Sequence, residues 1–254
     1  MNDRAPIGKA TWRDDLRVLS QFLQGRRGGT DHAASLDAFY GPQADVYDRF
    51  RERLLHGRAE LMRALQLAPG QRILDFGAGT GRHWLFVEEA IPALGRLDLV
   101  DLCTPLLDVA RARFAQYANV RTHKADAQIW QAEAPADAAI FSYSLSMIPD
   151  WRRALANAVR QVRPGGLIGV VDFYTLPEQP PEGFAPLSPW NRFFWPRWFS
   201  HDGVILRPEV PSALCTVAST ERLHQGTARL PYLPFVRAPW FYWVGRTPGA
   251  SPAS

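Results

Sequence analysis

One stretch decides the fold of this chain: Arg72-Ile73-Leu74-Asp75-Phe76-Gly77-Ala78-Gly79-Thr80-Gly81. Apolar residues interrupted only by Asp75 predict a buried parallel strand, and glycines at alternate positions follow it at once. Glycine lets a ligand approach the main chain without meeting a Cβ, and the amphipathic run beginning near Arg82 would present helix N-terminal amides to that ligand. The stretch therefore predicts a nucleotide-binding loop, and an ordinary strand-to-helix turn is the alternative.

Two common nucleotide-binding patterns do not fit this loop. The dinucleotide fingerprint needs a glycine or alanine where this chain has Arg82, and no Gly-Lys-Ser/Thr follows as in a P-loop. The stretch instead resembles the first motif of class I S-adenosylmethionine methyltransferases, in which an acidic residue on the first strand precedes Gly-x-Gly-x-Gly. The resemblance implies that Asp75 faces the methionine ammonium and that the following loop passes under the methionine and ribose. The loop residues are Gly77, Ala78, Gly79, Thr80 and Gly81.

Composition bounds the class of protein. A chain of 254 residues, 21% charged and 46% apolar, suits one α/β domain with additions. Its 9 Trp and 14 Phe exceed what a core of this size usually needs, so some aromatic side chains should lie at a surface or a pocket. Cys103 and Cys215 are too few for a disulfide framework and lack the paired spacing of a metal site, so no metal is expected.

Charge and hydropathy restrict the expected location and partners. Nowhere do 18 uncharged apolar residues follow one another, which predicts a soluble, cytoplasmic chain that could still touch the inner membrane face peripherally. A net charge of +4 and a pI near 9.3 suit an anionic membrane surface or nucleic acid. Lys and Arg are scattered without a dense run, so we expect no nucleic-acid partner.

The remainder of the chain alternates strand and helix patterns and ends in two strand-like segments. Strands are predicted at residues 96–101, 120–123, 137–144 and 167–173, helices at 82–90, 104–117 and 152–162, and a closing antiparallel hairpin at 214–220 and 240–246. These units predict an α/β fold with a doubly wound, Rossmann-like, seven-stranded sheet, the class I methyltransferase fold.

The predicted domain plan adds a lid and an insertion to this sheet. Residues 1–30 are expected to be a flexible segment, 31–68 to form an N-terminal helical lid, and 69–247 to form the methyltransferase domain with an aromatic insertion at 174–206.

Three lid residues are candidates to hold the cofactor. Tyr47 and Arg51 lie four apart on one helix face, so a phenol and a guanidinium could converge on the cofactor carboxylate, with Tyr40 nearby. An aromatic core stripe with a solvated arginine is the alternative.

Residues at strand ends extend the candidate site. Asp101 ends the second strand, where an acidic side chain can accept both ribose hydroxyls. The class I resemblance adds Leu102 beside it and places Asp126-Ala127 at the adenine amino group. It also places the end of the fourth strand opposite the transferring methyl group. The reaction-site candidates there are Ser142, Tyr143 and Met147.

An unusually aromatic stretch lies after the fifth strand. Residues 190–199, Trp-Asn-Arg-Phe-Phe-Trp-Pro-Arg-Trp-Phe, hold six aromatic residues and two arginines. The proline argues against a long strand or helix, so we expect a loop. A loop this apolar either folds back as a pocket lid or touches a bilayer interface, where Trp and Arg are common.

Longer motifs resemble a narrower family, the diacylglyceryl-homoserine N-methyltransferases of betaine-lipid synthesis. They are Phe39-Tyr40-Gly41-Pro42-Gln43-Ala44, Leu54-Leu55-His56-Gly57-Arg58, Tyr143-Ser144-Leu145-Ser146-Met147-Ile148-Pro149-Asp150-Trp151, Val171-Asp172-Phe173-Tyr174, Trp195-Pro196-Arg197-Trp198-Phe199 and Pro231-Tyr232-Leu233-Pro234. The resemblance covers roughly residues 32–246 and implies successive methyl transfers to the primary amine of a homoserine joined by an ether to diacylglycerol. The chain departs from this family at His83, where relatives generally carry Asn.

Amine methylation calls for a deprotonated nucleophile and a place for the cation that forms. Tyr143, His201 and Asp172 are the candidates to orient or deprotonate the amine. Trp151 and Trp198 could bind the ammonium group through cation–π contacts. The alternatives are a surface turn at His201 and plain packing for each tryptophan.

Two other functions fit the same sequence. One is a methyltransferase whose acceptor is a soluble small molecule, such as a quinone precursor or a natural product. The other is a non-catalytic domain that uses the aromatic stretch to contact a membrane or a partner.

Overall fold

The computed structural model describes residues 54–200, 203–230 and 233–249. The helices are α1 (Arg58–Ala64), α2 (Thr104–Arg113), α3 (Trp151–Gln161), α4 (Pro189–Ser200) and α5 (Glu209–Val217), with a 3₁₀ segment at Arg82–Ala93. The strands are β1 (Arg72–Phe76), β2 (Arg96–Asp101), β3 (Val120–Lys124), β4 (Ala136–Ser142), β5 (Val162–Phe173), β6 (Ser219–Leu230) and β7 (Leu233–Arg246). The predicted flexible segment and the predicted lid up to residue 53 lie outside the described residues.

A seven-stranded sheet with the order β3-β2-β1-β4-β5-β7-β6 organises the described part of the chain. Strands β1 to β5 pair in parallel, and β7 runs antiparallel to both β5 and β6. The chain moves outward from β1 to β3 and then crosses back to β4, so the strand order reverses between β1 and β4. In open α/β sheets, ligands bind beyond the carboxyl ends of the strands at such a reversal. The predicted class I methyltransferase fold is confirmed.

Both faces of the central strands β1, β4 and β5 are buried, as their nearly continuous apolar residues require. In β4, Ala138 and Ile140 join the core on one face, whereas Ala139 and Phe141 join the core on the other. The first core also takes side chains of α1, α2, α4 and the 3₁₀ segment, and the second takes those of α3 and α5. Successive side chains of a central strand therefore pack alternately against the two helical layers.

The predicted closing hairpin is placed wrongly at its first strand. Residues 214–217 belong to helix α5, and the hairpin is formed by β6 and β7. Val210 and Leu214 are four residues apart and both buried, which is the spacing of a helix face packed on the sheet. That helical spacing, beginning before residue 214, outweighs the short apolar run on which the strand was predicted.

The aromatic stretch is a helix and not the predicted loop. Helix α4 continues past Pro196, and its buried residues Trp195 and Phe199 lie four apart against the first core. A proline in a helix interior removes one main-chain hydrogen bond. The bond lost at Pro196 is the one to the carbonyl of Arg192, and the Arg197 side chain adds a bond from Nη1 to the neighbouring carbonyl of Phe193 at 3.1 Å. Burial of two large aromatic side chains thus outweighs the local cost of the proline.

Two shorter corrections concern the ends of elements. The run after the glycine loop is a 3₁₀ segment that ends at Ala93, interrupted at Val87 with φ −140°, where a regular helix was predicted. Strand β4 ends at Ser142, because Tyr143 adopts φ +54° and so leaves the extended conformation that was predicted up to residue 144.

Candidate functional site

A cavity of about 980 Å³, counting its open mouth, lies beyond the carboxyl ends of β1, β2 and β4. This is within the size range of small-molecule sites. Its walls come from the glycine loop, the ends of β2 and β4, the turns after β3 and β4, and the chain just before α1. The lining includes most of the predicted cofactor residues: Gly77, Ala78, Gly79, Thr80, Asp101, Leu102, Asp126, Ala127, Ser142 and Tyr143.

The glycine loop is held in place from two sides. Gly77 has φ +70°, and a Cβ there would lie 2.4 Å from the Cβ of Ser144, so no other residue fits without moving the turn after β4. From the other side, the Asp101 carboxylate accepts hydrogen bonds from the N–H of Gly79 and the N–H of Cys103, each at 2.8 Å. Asp101 therefore links the glycine loop to the start of α2.

Gly81 belongs to the support of the loop and not to the cavity wall, contrary to the prediction. A Cβ at Gly81 would lie 2.6 Å from Cε2 of Phe114, the residue that follows α2. The third glycine therefore lets the chain pass close to α2. The ligand-facing part of the loop ends at Thr80.

Asp75 lies behind the loop and does not line the cavity, where it was predicted to face the cofactor. Its side chain is fully buried, and Oδ2 accepts a hydrogen bond from Nε1 of Trp84 at 2.8 Å and contacts Nε2 of His83 at 2.8 Å. Oδ1 has no hydrogen-bond partner among the described residues. His83 does line the cavity, so Asp75 supports the cavity wall through its contact with His83.

The opposite end of the cavity is lined by residues that follow β2 and β3. Asp126 accepts hydrogen bonds from the main-chain N–H of Gln128 at 2.8 Å and from its side-chain amide at 3.1 Å. This Asx-type turn holds Asp126 and Ala127 at the cavity wall after β3, and Leu102 lines the wall after β2. The roles predicted for Asp126, Ala127 and Leu102 stay predictions.

The end of β4 carries the groups nearest to the predicted reaction site. The Ser142 hydroxyl is buried and has no hydrogen-bond partner among the described residues, and Met147 lines the wall below it. The Tyr143 hydroxyl donates to the carbonyl oxygen of His56 at 2.6 Å, and its ring meets Phe173 edge-on with centroids 4.8 Å apart. Tyr143 therefore ties the chain before α1 to the end of β4.

Asp172 was predicted to orient or deprotonate the amine, but it does not line the cavity. It is 2% exposed and accepts hydrogen bonds from the N–H and hydroxyl of Ser146 at 3.0 and 2.8 Å and from the N–H of Phe173 at 2.8 Å. Burial lowers the pKa of the nearby Arg207 guanidinium, although the charges of Glu209 and Asp172 act in the opposite direction. Asp172 thus holds the turn after β4 and is not placed to receive a proton from a ligand.

Asp172→Asn is expected to lower the free energy of unfolding by about 2 to 4 kcal/mol, because charged hydrogen bonds in a buried site are lost. Urea unfolding measures this. Ser146→Ala removes only one of the bonds and should cost about 1 kcal/mol. Normal stability of Asp172→Asn together with abolished turnover would contradict the structural role and restore the predicted proton acceptor.

The two tryptophans predicted at the substrate lie away from the cavity. Trp151 is 2% exposed in the core at the start of α3, so packing accounts for it. Trp198 is 39% exposed on α4. Trp151 lies on the face of α3 that packs on the sheet, whereas Trp198 lies on a face of α4 that is exposed. Tyr40, Tyr47, Arg51 and His201 lie outside the described residues, so their predicted roles stay predictions.

Among the cavity residues that were not predicted, Arg58 lies in a motif that was singled out from the sequence. Arg58 is only 7% exposed, lines the cavity, and is the first residue of α1 after Gly57, which has φ +82°. Arginine is seldom buried without an anionic or hydrogen-bonding role. The signal was the Gly-Arg pair inside the motif of residues 54–58, but nothing local says that this arginine turns toward the glycine loop.

Residues 54–200, 203–230 and 233–249 contain neither a candidate metal site nor a candidate membrane span. No group of three or more metal-ligating side chains is assembled there. None of the helices in these ranges has the length and apolar character that crossing a bilayer requires.

Residues 73–166 match a family described as a methyltransferase domain. A demethylmenaquinone methyltransferase from Clavibacter sepedonicus is 30% identical over 149 residues, which are 56% of this chain and 59% of that protein. A demethylmenaquinone methyltransferase from Tropheryma whipplei (strain Twist) is 25% identical over 147 residues, 56% of this chain and 60% of that protein. The chain thus spans about 60% of the length of the curated relatives it matches.

Among solved structures, the N-methyltransferase NodS from Bradyrhizobium japonicum WM9 in complex with S-adenosyl-L-homocysteine is similar at a TM-score of 0.60. The identity is 15%, and the match covers 84% of this chain and 98% of that chain, so the likeness is one of fold. The range that matches the domain family contains the glycine loop and the ends of β2 and β4, which together form most of the cavity.

Proposed function

We propose that this chain, a methyltransferase that uses S-adenosylmethionine as its methyl donor, methylates the primary amine of a diacylglyceryl-homoserine lipid headgroup. The observation that carries the proposal is one cavity joining the glycine loop to the end of β4. Its wall at residues 147–149 is bonded to the segment that follows the exposed aromatic helix α4. Ile205 N–H donates to the Ser146 carbonyl at 2.9 Å, and Arg207 Nη2 donates to the Pro149 carbonyl at 3.2 Å.

The positions of the narrow motifs support the lipid acceptor. The motif of residues 54–58 contributes Leu55 and Arg58 to the cavity, and the motif of residues 143–151 contributes its wall after β4. The motif of residues 171–174 carries Asp172, which holds that wall from behind. Motifs separated by more than a hundred residues thus line or support one cavity. This arrangement is expected when a family shares an acceptor as well as a cofactor.

The residues present fit the cofactor. The glycine cradle has no room for a Cβ at Gly77, Asp101 ends β2 at the expected ribose position, and Arg58 adds a buried positive charge suited to the cofactor carboxylate. Bound there, S-adenosylmethionine supplies a methyl group on a sulfonium, and the acceptor nitrogen forms its new bond to that carbon as the carbon–sulfur bond breaks.

The protein must present the acceptor amine in its neutral form. An alkyl amine of pKa near 10 is neutral in roughly one molecule per thousand at pH 7. Moving the amine from water to an apolar surface raises the neutral fraction, because burial disfavours the charged form. Met147, Ile148 and Pro149 provide such a surface. The Ser142 hydroxyl is the buried polar group beside it and can accept a hydrogen bond from the amine, which aims the nitrogen lone pair. Proximity then supplies most of the rate.

Tyr143→Phe is expected to lower turnover about fivefold, which is the effect of losing one hydrogen bond, and to leave the pH dependence of kcat/KM unchanged. The reason is that the hydroxyl donates to His56 and so positions the chain before α1. Tyr117→Phe is the matched control, because its hydroxyl bonds to Glu88 outside the cavity. A shifted or missing limb in the pH profile would instead make Tyr143 the proton acceptor.

The proposed function is tested by incubating the full chain with labelled S-adenosylmethionine and diacylglyceryl-homoserine dispersed in detergent. Mass spectrometry of the lipid is expected to reveal one, two and then three added methyl groups. Retention of label in S-adenosylmethionine, with normal cofactor affinity, would refute the lipid acceptor.

A second acceptor class is supported by the curated relatives, which are named as demethylmenaquinone methyltransferases. Under this alternative the acceptor is a quinone precursor or another soluble small molecule, and the carbon or oxygen of that acceptor takes the methyl group. The same assay with a demethylated quinone in place of the lipid separates the two classes. Methylation of the quinone alone would favour the second.

A further inference from the structure

We propose that the outer face of helix α4 is a docking surface for an anionic lipid bilayer. The inference rests on the proposed function, because a lipid acceptor has to be reached at a membrane, and it adds the surface by which the chain would do so. We define this docking surface as Trp190, Phe193, Phe194, Arg197 and Trp198.

The docking surface is an ordered stack of aromatic rings. Trp190 stacks on Phe194 with ring centroids 5.2 Å apart, and Phe194 packs on Trp198 at 5.5 Å. These residues are spaced by four, so they form a ladder along one side of the helix. Trp190 and Phe193 are 65% and 57% exposed, which is far more than tryptophan and phenylalanine usually show in a protein surface.

Charge complementarity favours a bilayer with anionic lipid. Arg197 lies over the ring of Phe193, with Cζ 3.7 Å from the ring centroid, so cation and aromatic ring share one outward face. No acidic residue occurs between Glu182 and Asp202, and the helix therefore carries positive charge alone. Tryptophan and arginine together are typical of helices that lie in the headgroup region, with rings at the acyl boundary and cations at lipid phosphates.

Aromatic contacts connect helix α4 to the cavity wall. On the inner side of α4, Phe199 stacks on Phe173 with centroids 4.5 Å apart, and Phe173 meets Tyr143 at 4.8 Å. Tyr143 lines the cavity. Packed aromatic rings thus run from the inner side of α4 to the cavity wall.

The test measures binding of the full chain to vesicles of equimolar phosphatidylcholine and phosphatidylglycerol. Trp190→Ser combined with Trp198→Ser is expected to weaken vesicle binding at least tenfold, because two interfacial anchors are lost. Ile129→Ser is the matched control, since Ile129 is also 59% exposed but lies outside the docking surface. Equal binding by the double variant and the wild-type chain would overturn the proposal.

A second pair of variants separates charge from hydrophobicity. Arg197→Gln should weaken binding to the anionic vesicles about fivefold and leave the weak binding to pure phosphatidylcholine unchanged. Arg111→Gln, an exposed arginine on α2, should do neither. An identical loss on both kinds of vesicle would refute the electrostatic part of the docking surface.

Failure of the docking surface and failure of the proposed function give different results. The double variant should methylate a water-soluble glyceryl-homoserine as fast as the wild-type chain, which also establishes that it is folded. Methylation of that amine without any vesicle binding would overturn the docking surface and leave the function standing. If the double variant lost vesicle binding but neither protein methylated the amine, the docking surface would stand and the proposed function would be refuted. Sedimentation velocity completes the test, because a wild-type dimer that the double variant dissociates would make α4 a self-interface and refute the bilayer.

Discussion

Asp101→Ala is expected to weaken the binding of S-adenosylhomocysteine by about 3 to 5 kcal/mol, or roughly two to four orders of magnitude in Kd. The carboxylate accepts hydrogen bonds from the N–H groups of Gly79 and Cys103, and we expect it to accept two ribose hydroxyls as well. Each hydrogen bond to a charged group contributes about 1.5 to 3 kcal/mol. Isothermal titration calorimetry measures the loss directly.

The same experiment has a control on the neighbouring helix. Asp108 on α2 is exposed and paired with Arg111, so Asp108→Ala should leave the Kd unchanged. Asp101→Asn retains one carbonyl acceptor and should fall between Asp101→Ala and the wild-type chain. Methylthioadenosine keeps the ribose and lacks the amino-acid part, so Asp101→Ala should weaken it as much as S-adenosylhomocysteine. Unchanged affinity for both ligands would remove Asp101 from the cofactor site.

Arg58→Ala is expected to weaken S-adenosylhomocysteine by about 1.5 to 3 kcal/mol, which is roughly ten- to more than a hundredfold in Kd. The guanidinium is buried, lines the cavity, and matches the geometry of a carboxylate. Arg58→Lys should recover part of the loss, because lysine keeps the charge but not the forked geometry. Calorimetry again gives the numbers.

Methylthioadenosine makes the Arg58 prediction specific. This ligand has no carboxylate, so Arg58→Ala should leave its Kd unchanged while Asp101→Ala does not. Arg63→Ala, on the exposed side of the same helix, controls for loss of a positive charge on α1. If Arg58→Ala weakened both ligands equally, Arg58 would support the fold of the cavity and would not contact the carboxylate.

Much of the cofactor end could be read from the sequence because its signals are local. An apolar strand, alternating glycines and an acidic residue at the next strand end are all set by neighbours in the chain. These short patterns predict that the chain turns at Gly77 and that Asp101 stands at the end of β2, although Ser144 and Gly79, which are distant in the chain, fix the final geometry. The strand order follows from the same alternation of strands and helices.

The acceptor end could be predicted only in part. Whether a side chain there can reach a ligand depends on which face of its helix or strand is packed against another layer. Asp172 and Trp151 carry plausible functional groups, yet both point into packed layers. The aromatic stretch was predicted as a loop from its proline, and burial of Trp195 and Phe199 instead keeps it helical. No window of the sequence contains the partners that decide these outcomes.

The sequence by itself determined that a glycine-rich loop follows a buried strand in a doubly wound sheet, and that Asp101 and Asp126 stand at the next strand ends. Tertiary structure alone decided that Arg58 reaches the cavity and that Asp75 does not, since residues far apart in the chain meet there. It also decided that α4 turns its aromatic ladder outward. The physical reason is that local patterns select backbone conformation, whereas burial and side-chain direction are selected by the layer packed against each element.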